Sequence, residues 1–193
     1  MQFRKGLRVY SADPHEIGRI TRVVLNPDSK QVTHIVVRRG GLFSEDRVIP
    51  IEWFDAASTD QMRLREKAIT LESLAKFQTA QPMLVGGDGS VAPANAGAAL
   101  DGGCESPPDD SVALREGARV TSKDDEFLGH IDAVIIDRHT ACATHFVIGQ
   151  GLLWKMRKRV PAFWCGVVAE NEVQLTLVEQ EYESLPEYAL SDM

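Results

Sequence analysis

The chain has 193 residues with 21 Lys and Arg against 28 Asp and Glu, a formal net charge of −7. An acidic balance argues against a general nucleic-acid binder, which carries a basic footprint, and no stretch approaches the ~20 apolar residues of a membrane-spanning helix. Cysteine is odd in number (Cys104, Cys142, Cys165) with no metal-like spacing, which predicts reduced thiols and a cytoplasmic protein.

Met1 to Gly6 carry charge with no apolar run behind them, so no signal peptide is expected. Val9 and Tyr10 end a short strand, and Ser11-Ala12-Asp13-Pro14-His15 reads as a turn, because proline presets φ and Asp bonds its own backbone. Residues 16–25 form a strand rich in β-branched residues, with Gly18 marking a bulge or a close backbone approach. After a second turn at Asn26-Pro27-Asp28-Ser29, residues 32–37 form a strand whose alternation sets Ile35 and Val37 on one face and His34 and Val36 on the other. Gly40-Gly41 breaks the chain. Residues 47–51 resume it, with Pro50 at an edge or strand boundary because it cannot donate to a ladder. Met62-Arg63-Leu64 is a further short strand, and residues 70–77 read as a short helix capped by Thr70.

This plan occurs twice. Adding 111 takes Gly6 to Gly117, Asp13 to Asp124, Gly18 to Gly129, Thr33-His34 to Thr144-His145, Gly40 to Gly151, Pro50 to Pro161 and Trp53 to Trp164, and Glu72-Ser73-Leu74 to Glu183-Ser184-Leu185, without a gap. Such a repeat fixes the domain count. Residues 1–77 form the first domain, 78–111 a Gly/Ala/Pro/Asp linker too poor in apolar residues to order itself, and 112–193 the second domain. The linker would span on the order of 30 Å. The three segments carry net charges of +3, −5 and −5, so the domains can attract each other. Short strands with regular turn signals predict a mainly β fold, two small barrels each ending in a short helix.

The residues Asp13, Ile17-Gly18-Arg19-Ile20, Val23-Val24-Leu25, Asn26-Pro27-Asp28, Thr33 through Gly40 and Val48-Ile49-Pro50 resemble the PRC-barrel domain. That family is known from the cytoplasmic domain of the photosynthetic reaction centre H subunit and from the ribosome maturation factor RimM. The resemblance covers about 70 residues of each half. It implies a small β-barrel acting in macromolecular assembly, with no catalytic set to transfer. The second copy departs from the first at three places: Asn26-Pro27-Asp28 becomes Asp137-Arg138-His139, Arg38-Arg39 becomes Gly149-Gln150, and Ser44-Glu45-Asp46 becomes Lys155-Met156-Arg157. Partner surfaces are expected where the copies differ.

The sharpest local feature is the basic run around Trp154, Lys155, Arg157, Lys158 and Arg159, set in an acidic half. As a site it would hold an anionic partner, with Trp154 stacking and the bases pairing with phosphates or carboxylates. The plainer account makes Leu153 and Trp154 core and lets the bases offset nearby acids. His34 and His145 repeat, but one histidine per barrel lacks the ligands of a metal site. Cys142 and His145, three apart near one strand, fall on opposite faces. Asp124-Asp125-Glu126 lacks the spaced ligands of a calcium loop, and Gly86-Gly87-Asp88-Gly89 lacks the strand and the Lys-Ser/Thr of a phosphate loop. Trp53 and Trp164 read as core packing. No enzyme, cofactor or metal is expected. The sequence supports a binding or assembly protein whose barrels pack together, within one chain or in a homodimer, and present a surface to a protein partner. The alternative is an RNA- or ribosome-associated factor using residues 155–159.

Overall fold

A computed structural model describes residues 1–4, 6–40, 45–57, 61–65, 76–77, 107–151 and 156–188. The first repeat contributes β2 (Arg8–Tyr10), β3 (Glu16–Leu25), β4 (Val32–Arg38), β5 (Asp46–Pro50), β6 (Phe54–Ala57) and β7 (Gln61–Leu64). The second contributes β9 (Arg119–Thr121), β10 (Phe127–Ile136), β11 (Ala143–Gln150), β12 (Met156–Pro161), β13 (Cys165–Val168), β14 (Glu172–Leu175) and the short helix α1 (Glu179–Glu183). β1 (Gln2–Arg4) and β8 (Val112–Arg115) precede the two sets.

Each repeat folds into a curled sheet with the same order, β5-β4-β3-β2-β7-β6 in one and β12-β11-β10-β9-β14-β13 in the other. The curl comes from a parallel pairing of an early strand with a late one, β2 with β7 and β9 with β14. Pro50 and Pro161, both near φ −55°, lead β5 and β12 into the 3-10 turns Ile51–Trp53 and Ala162–Trp164, which carry the chain from one end of each sheet to the other. Gly18 and Gly129 sit where β3 and β10 bend: a Cβ would lie 2.1 Å from the Arg38 carbonyl oxygen in one copy and 2.6 Å from that of Gly149 in the other. These are the close approaches predicted from sequence, and only glycine permits them.

The sheets do not divide the chain at the linker. β1 lies antiparallel on β10, with Phe3 opposite Val134, and β8 lies antiparallel on β3, with Leu114 opposite Val23. Phe3 and Leu114 are equivalent under the 111-residue offset, as are Val134 and Val23, so each repeat lends its first strand to the other about a pseudo-twofold axis. The axis passes between Gln31 and Cys142, which form an isolated bridge. Around them the Val32 N–H donates to the Ala141 carbonyl at 2.8 Å and the Ala143 N–H to the Lys30 carbonyl at 2.9 Å. The repeats share one hydrophobic cluster running from Phe3 and Ile20 to Phe146 and Tyr182. At its seam the Phe3 ring meets Phe54 edge-on at 5.8 Å, and a cavity of about 10 Å³ among Phe3, Ile20, Val23, Leu114 and Val134 has room for no more than one water.

Two details were not legible in the sequence. Neither β1 nor β8 is legible as a strand, since each is too short to show a period and its partner lies in the other repeat. β4 is buried on both faces from His34 to Val37. Val36 stands opposite Arg22 on one neighbour and Val48 on the other, and the Phe77 ring stacks on the Arg22 guanidinium at 5.1 Å on that face. The short helix of the second repeat is present. The one placed at 70–77 falls largely outside the described residues, and Lys76 within it bridges to Arg47 as extended chain.

Candidate functional site

The basic run begins outside the described residues: nothing structural is assigned to Trp154 or Lys155. The other three bases lie on β12, and each has a partner in the protein. Arg157 Nε donates to the Asp132 carboxylate at 2.6 Å, both side chains being mostly buried. The first copy has a different pair at this corner, Arg38 with Asp46 at 2.8 Å, between residues opposite each other on β4 and β5. In the second copy Arg38 is replaced by Gly149, which removes a side chain from the middle strand, and Arg157 reaches over it to Asp132 on β10. Two sequence differences that look independent thus relocate one ion pair.

Lys158 is 6% exposed. Its ammonium donates to the carbonyls of Tyr182 (3.1 Å) and Glu183 (2.7 Å) and meets the Glu183 carboxylate at 3.3 Å. It also lies over the Tyr182 ring at 4.9 Å. A cation among the last carbonyls of a helix satisfies orphan acceptors and the negative end of the helix dipole, so Lys158 fastens α1 to β12. Tyr182 is fully buried, and burial raises its phenol pKa. Arg159 is exposed and stacks on the Tyr188 ring at 5.6 Å. Tyr188 is the counterpart of Phe77 and Arg159 that of Val48, so the same outer face is covered in both copies by an aromatic ring on an arginine. The described bases are occupied by carboxylates, carbonyls and a ring within the chain.

The remaining candidates resolve simply. Trp53 and Trp164 pack against the shared core. His145 is held below the usual imidazole range by burial and then by the Arg159 charge. Asp124 accepts from the Ser122 hydroxyl at 2.6 Å in a turn, which keeps its carboxyl below the usual range. Among the described residues no three His, Cys, Asp or Glu come together as metal ligands, and no helix is long and apolar enough to cross a membrane.

Sequence reasoning missed the apolar surface. Phe127, Met156, Phe163, Val167 and Val178 are the large hydrophobic residues exposed among those described, and all belong to the second repeat. Their counterparts in the first are Glu16, Glu45, Glu52, Ala56 and Lys67. Subtracting 111 position by position would have shown the pattern. Phe163 is 75% exposed and Val167 57%, four residues apart on the 3-10 turn and the edge strand β13. Outward-facing valine on a sheet edge with no further strand is costly in water and prone to pairing.

The seam itself is polar at its rim. Arg22 of β3 pairs with Glu170 of the second repeat, the Gly6 N–H donates to Glu116 Oε1 at 3.1 Å, Asn26 Nδ2 donates to Asp110 at 2.5 Å, and Arg138 donates to the Asp55 carbonyl. The Met1 ammonium donates to the Ile136 carbonyl at 2.6 Å, and burial lowers its pKa.

A comparison with curated proteins finds no match. Residues 5–78 match the family model of the PRC-barrel domain, the stretch that carries β2 to β7 and the Gly18 and Pro50 bends. The second half repeats that strand order element by element at an offset of 111. The chain therefore carries a PRC-barrel domain in its first half, and a second sheet of the same topology in tandem with it.

Proposed function

We propose that this is a non-enzymatic, cytoplasmic assembly protein in which two PRC-type barrels act as one interlocked unit and offer the second repeat to a protein partner. The observation that carries this reading is that, among the described residues, exposed large apolar side chains occur only in the second repeat, at positions where the first carries Glu16, Glu45, Glu52 and Lys67. Two copies of one fold bury similar cores, so a one-sided exchange of charge for phenylalanine, methionine and valine on the surface is not required by folding. Exposed aromatic and aliphatic residues are what a partner interface needs at its centre. Strand exchange holds the two sheets in a fixed relation, which suits a rigid platform.

The test is affinity capture from the native source with the wild type, the double variant Phe163→Asp and Val167→Asp, and the control Glu16→Ala and Glu52→Ala. A partner retained by wild type and control but lost by the apolar-surface variant supports the reading. Equal retention by all three refutes it. An RNA contact through residues 155–159 has less to draw on, because Arg157 and Lys158 are committed to Asp132 and to the end of α1.

A further inference from the structure

The pseudo-twofold axis relates two grooves at the seam, and they are not alike. In one, the turn after β10 sends Arg138 across to the carbonyl of Asp55 at the edge strand β6. The counterpart of Arg138 is Pro27 and that of Asp55 is Gly166. Proline has no arm to extend, and the equivalent space is an open groove of about 600 Å³ between the 27–30 turn and residues 143–144 and 162–166. That volume is in the range of small-ligand sites.

The groove also has its own lining. Phe54 and Ala141 on the Arg138 side are replaced by Cys165 and Lys30 on the open side, a large–small pair exchanged for a small–large one. Lys30 is 8% exposed. Its ammonium donates to the Pro27 carbonyl, and among the described residues no carboxylate lies within ion-pair reach of it. The nearby Cys165 thiol is pushed up to about 12 by burial, with Lys30 acting in the opposite sense, so it is neutral at physiological pH and supplies no counter-charge. The Lys30 ammonium spends one of its three donors on the Pro27 carbonyl, and an anion in the adjoining groove would take the others. The neighbouring hydroxyls are already engaged, Ser29 with Asn26 and Thr144 with the Ile135 carbonyl. The other walls are apolar: Pro27, Ala143, Ala162 and the exposed ring of Phe163. Asp28 stands exposed at the rim, and its negative charge disfavours a multiply charged anion.

We propose that this groove binds a carboxylate carried on an apolar body, with Lys30 as its counter-ion and Phe163 as its wall. The carboxylate belongs either to a free organic acid or to the C-terminus of a peptide. The experiment is titration calorimetry of the full chain at low ionic strength with 3-phenylpropionate, N-acetyl-Gly-Phe as free acid, the same peptide as C-terminal amide, and inorganic phosphate. The expected result is saturable binding of the carboxylate probes, at least about tenfold weaker binding of the amide, and the weakest binding for phosphate. Tighter binding of the peptide acid than of the small acid assigns the site to a chain terminus, and the reverse order to a free acid. Pro27→Gln, which sends an uncharged arm across as Arg138 does on the other side, weakens binding at least about tenfold. Lys30→Met keeps the alkyl chain and weakens binding at least about tenfold, with the thermal transition confirming a folded protein. Absence of saturable binding of either acid, undiminished binding to Pro27→Gln, or preference for phosphate overturns the proposal. Phe163 belongs to both surfaces, and both variants leave Phe163 and Val167 in place, so loss of acid binding with the macromolecular partner retained separates the groove from the partner surface proposed above.

Discussion

Phe3 offers the most direct test of strand exchange. It is the third residue of the sequence, 2% exposed, opposite Val134 in the second repeat's sheet and edge-on to Phe54 of the first. Were β1 an ordinary fraying terminus, truncating the side chain would cost a few tenths of a kcal/mol. As a keystone of the shared core, Phe3→Ala removes a ring from a seam whose residual cavity is only about 10 Å³, and such truncations cost about 3–5 kcal/mol. For a chain of this length each kcal/mol lowers Tm by roughly 2–4 °C, so a fall of at least about 6 °C is expected. Hydrogen exchange read by mass spectrometry locates the effect: amides of residues 133–135, in the second repeat, lose protection. A Tm within about 2 °C of wild type, or loss of protection confined to the first repeat, would refute the reciprocal exchange.

Four further outcomes follow from the same structure. Proteolytic cleavage placed within residues 86–103 leaves the halves co-eluting on a sizing column, since each sheet keeps a strand of the other half; separation into two folded monomers contradicts this. Gly18→Ala and Gly129→Ala, which put a Cβ within 2.6 Å of a backbone oxygen, each destabilise the fold by more than about 3 kcal/mol, whereas Gly40→Ala, whose Cβ meets nothing within 4 Å, changes Tm little. Lys158→Met frees the carbonyls of Tyr182 and Glu183 and costs about 2 kcal/mol, seen as faster exchange across 179–185 with β12 still protected. Cys165 has a folded pKa of about 12 against 9.0 unexposed to the fold. The unfolded chain therefore ionises first, and the stabilising contribution, full below pH 9, is lost as pH rises toward 12 at up to about 1.4 kcal/mol per unit. Cys165→Ala should flatten the alkaline limb of denaturant titrations, and an unchanged slope counts against the assignment.

Much of this molecule is written in its repeat. Gly18, Pro50 and their counterparts are backbone requirements, and backbone requirements show in single residues: no other side chain fits against the Arg38 carbonyl, and no other residue presets the turn after β5. The long strands β3 and β10 declare themselves by their β-branched content. The basic run on β12 was equally visible but could not be interpreted, because charge in a sequence does not say where its partner is. Arg157 finds Asp132 only because Gly149 leaves the intervening strand bare, and Lys158 finds the end of a helix 24 residues later.

Sequence by itself therefore determined the duplication, the β class, the PRC-type pattern and the bends that shape each sheet, since these depend on local geometry repeated at a constant offset. Tertiary structure decided the rest. Gln2–Arg4 and Val112–Arg115 are too short to announce a strand, and they become strands because hydrogen-bonding edges in the opposite repeat receive them. The same pairing sets the axis that makes Pro27 the counterpart of Arg138. On one side Arg138 spans the seam to Asp55, on the other a groove lies open beside Lys30, and that difference can be read only from two surfaces brought together.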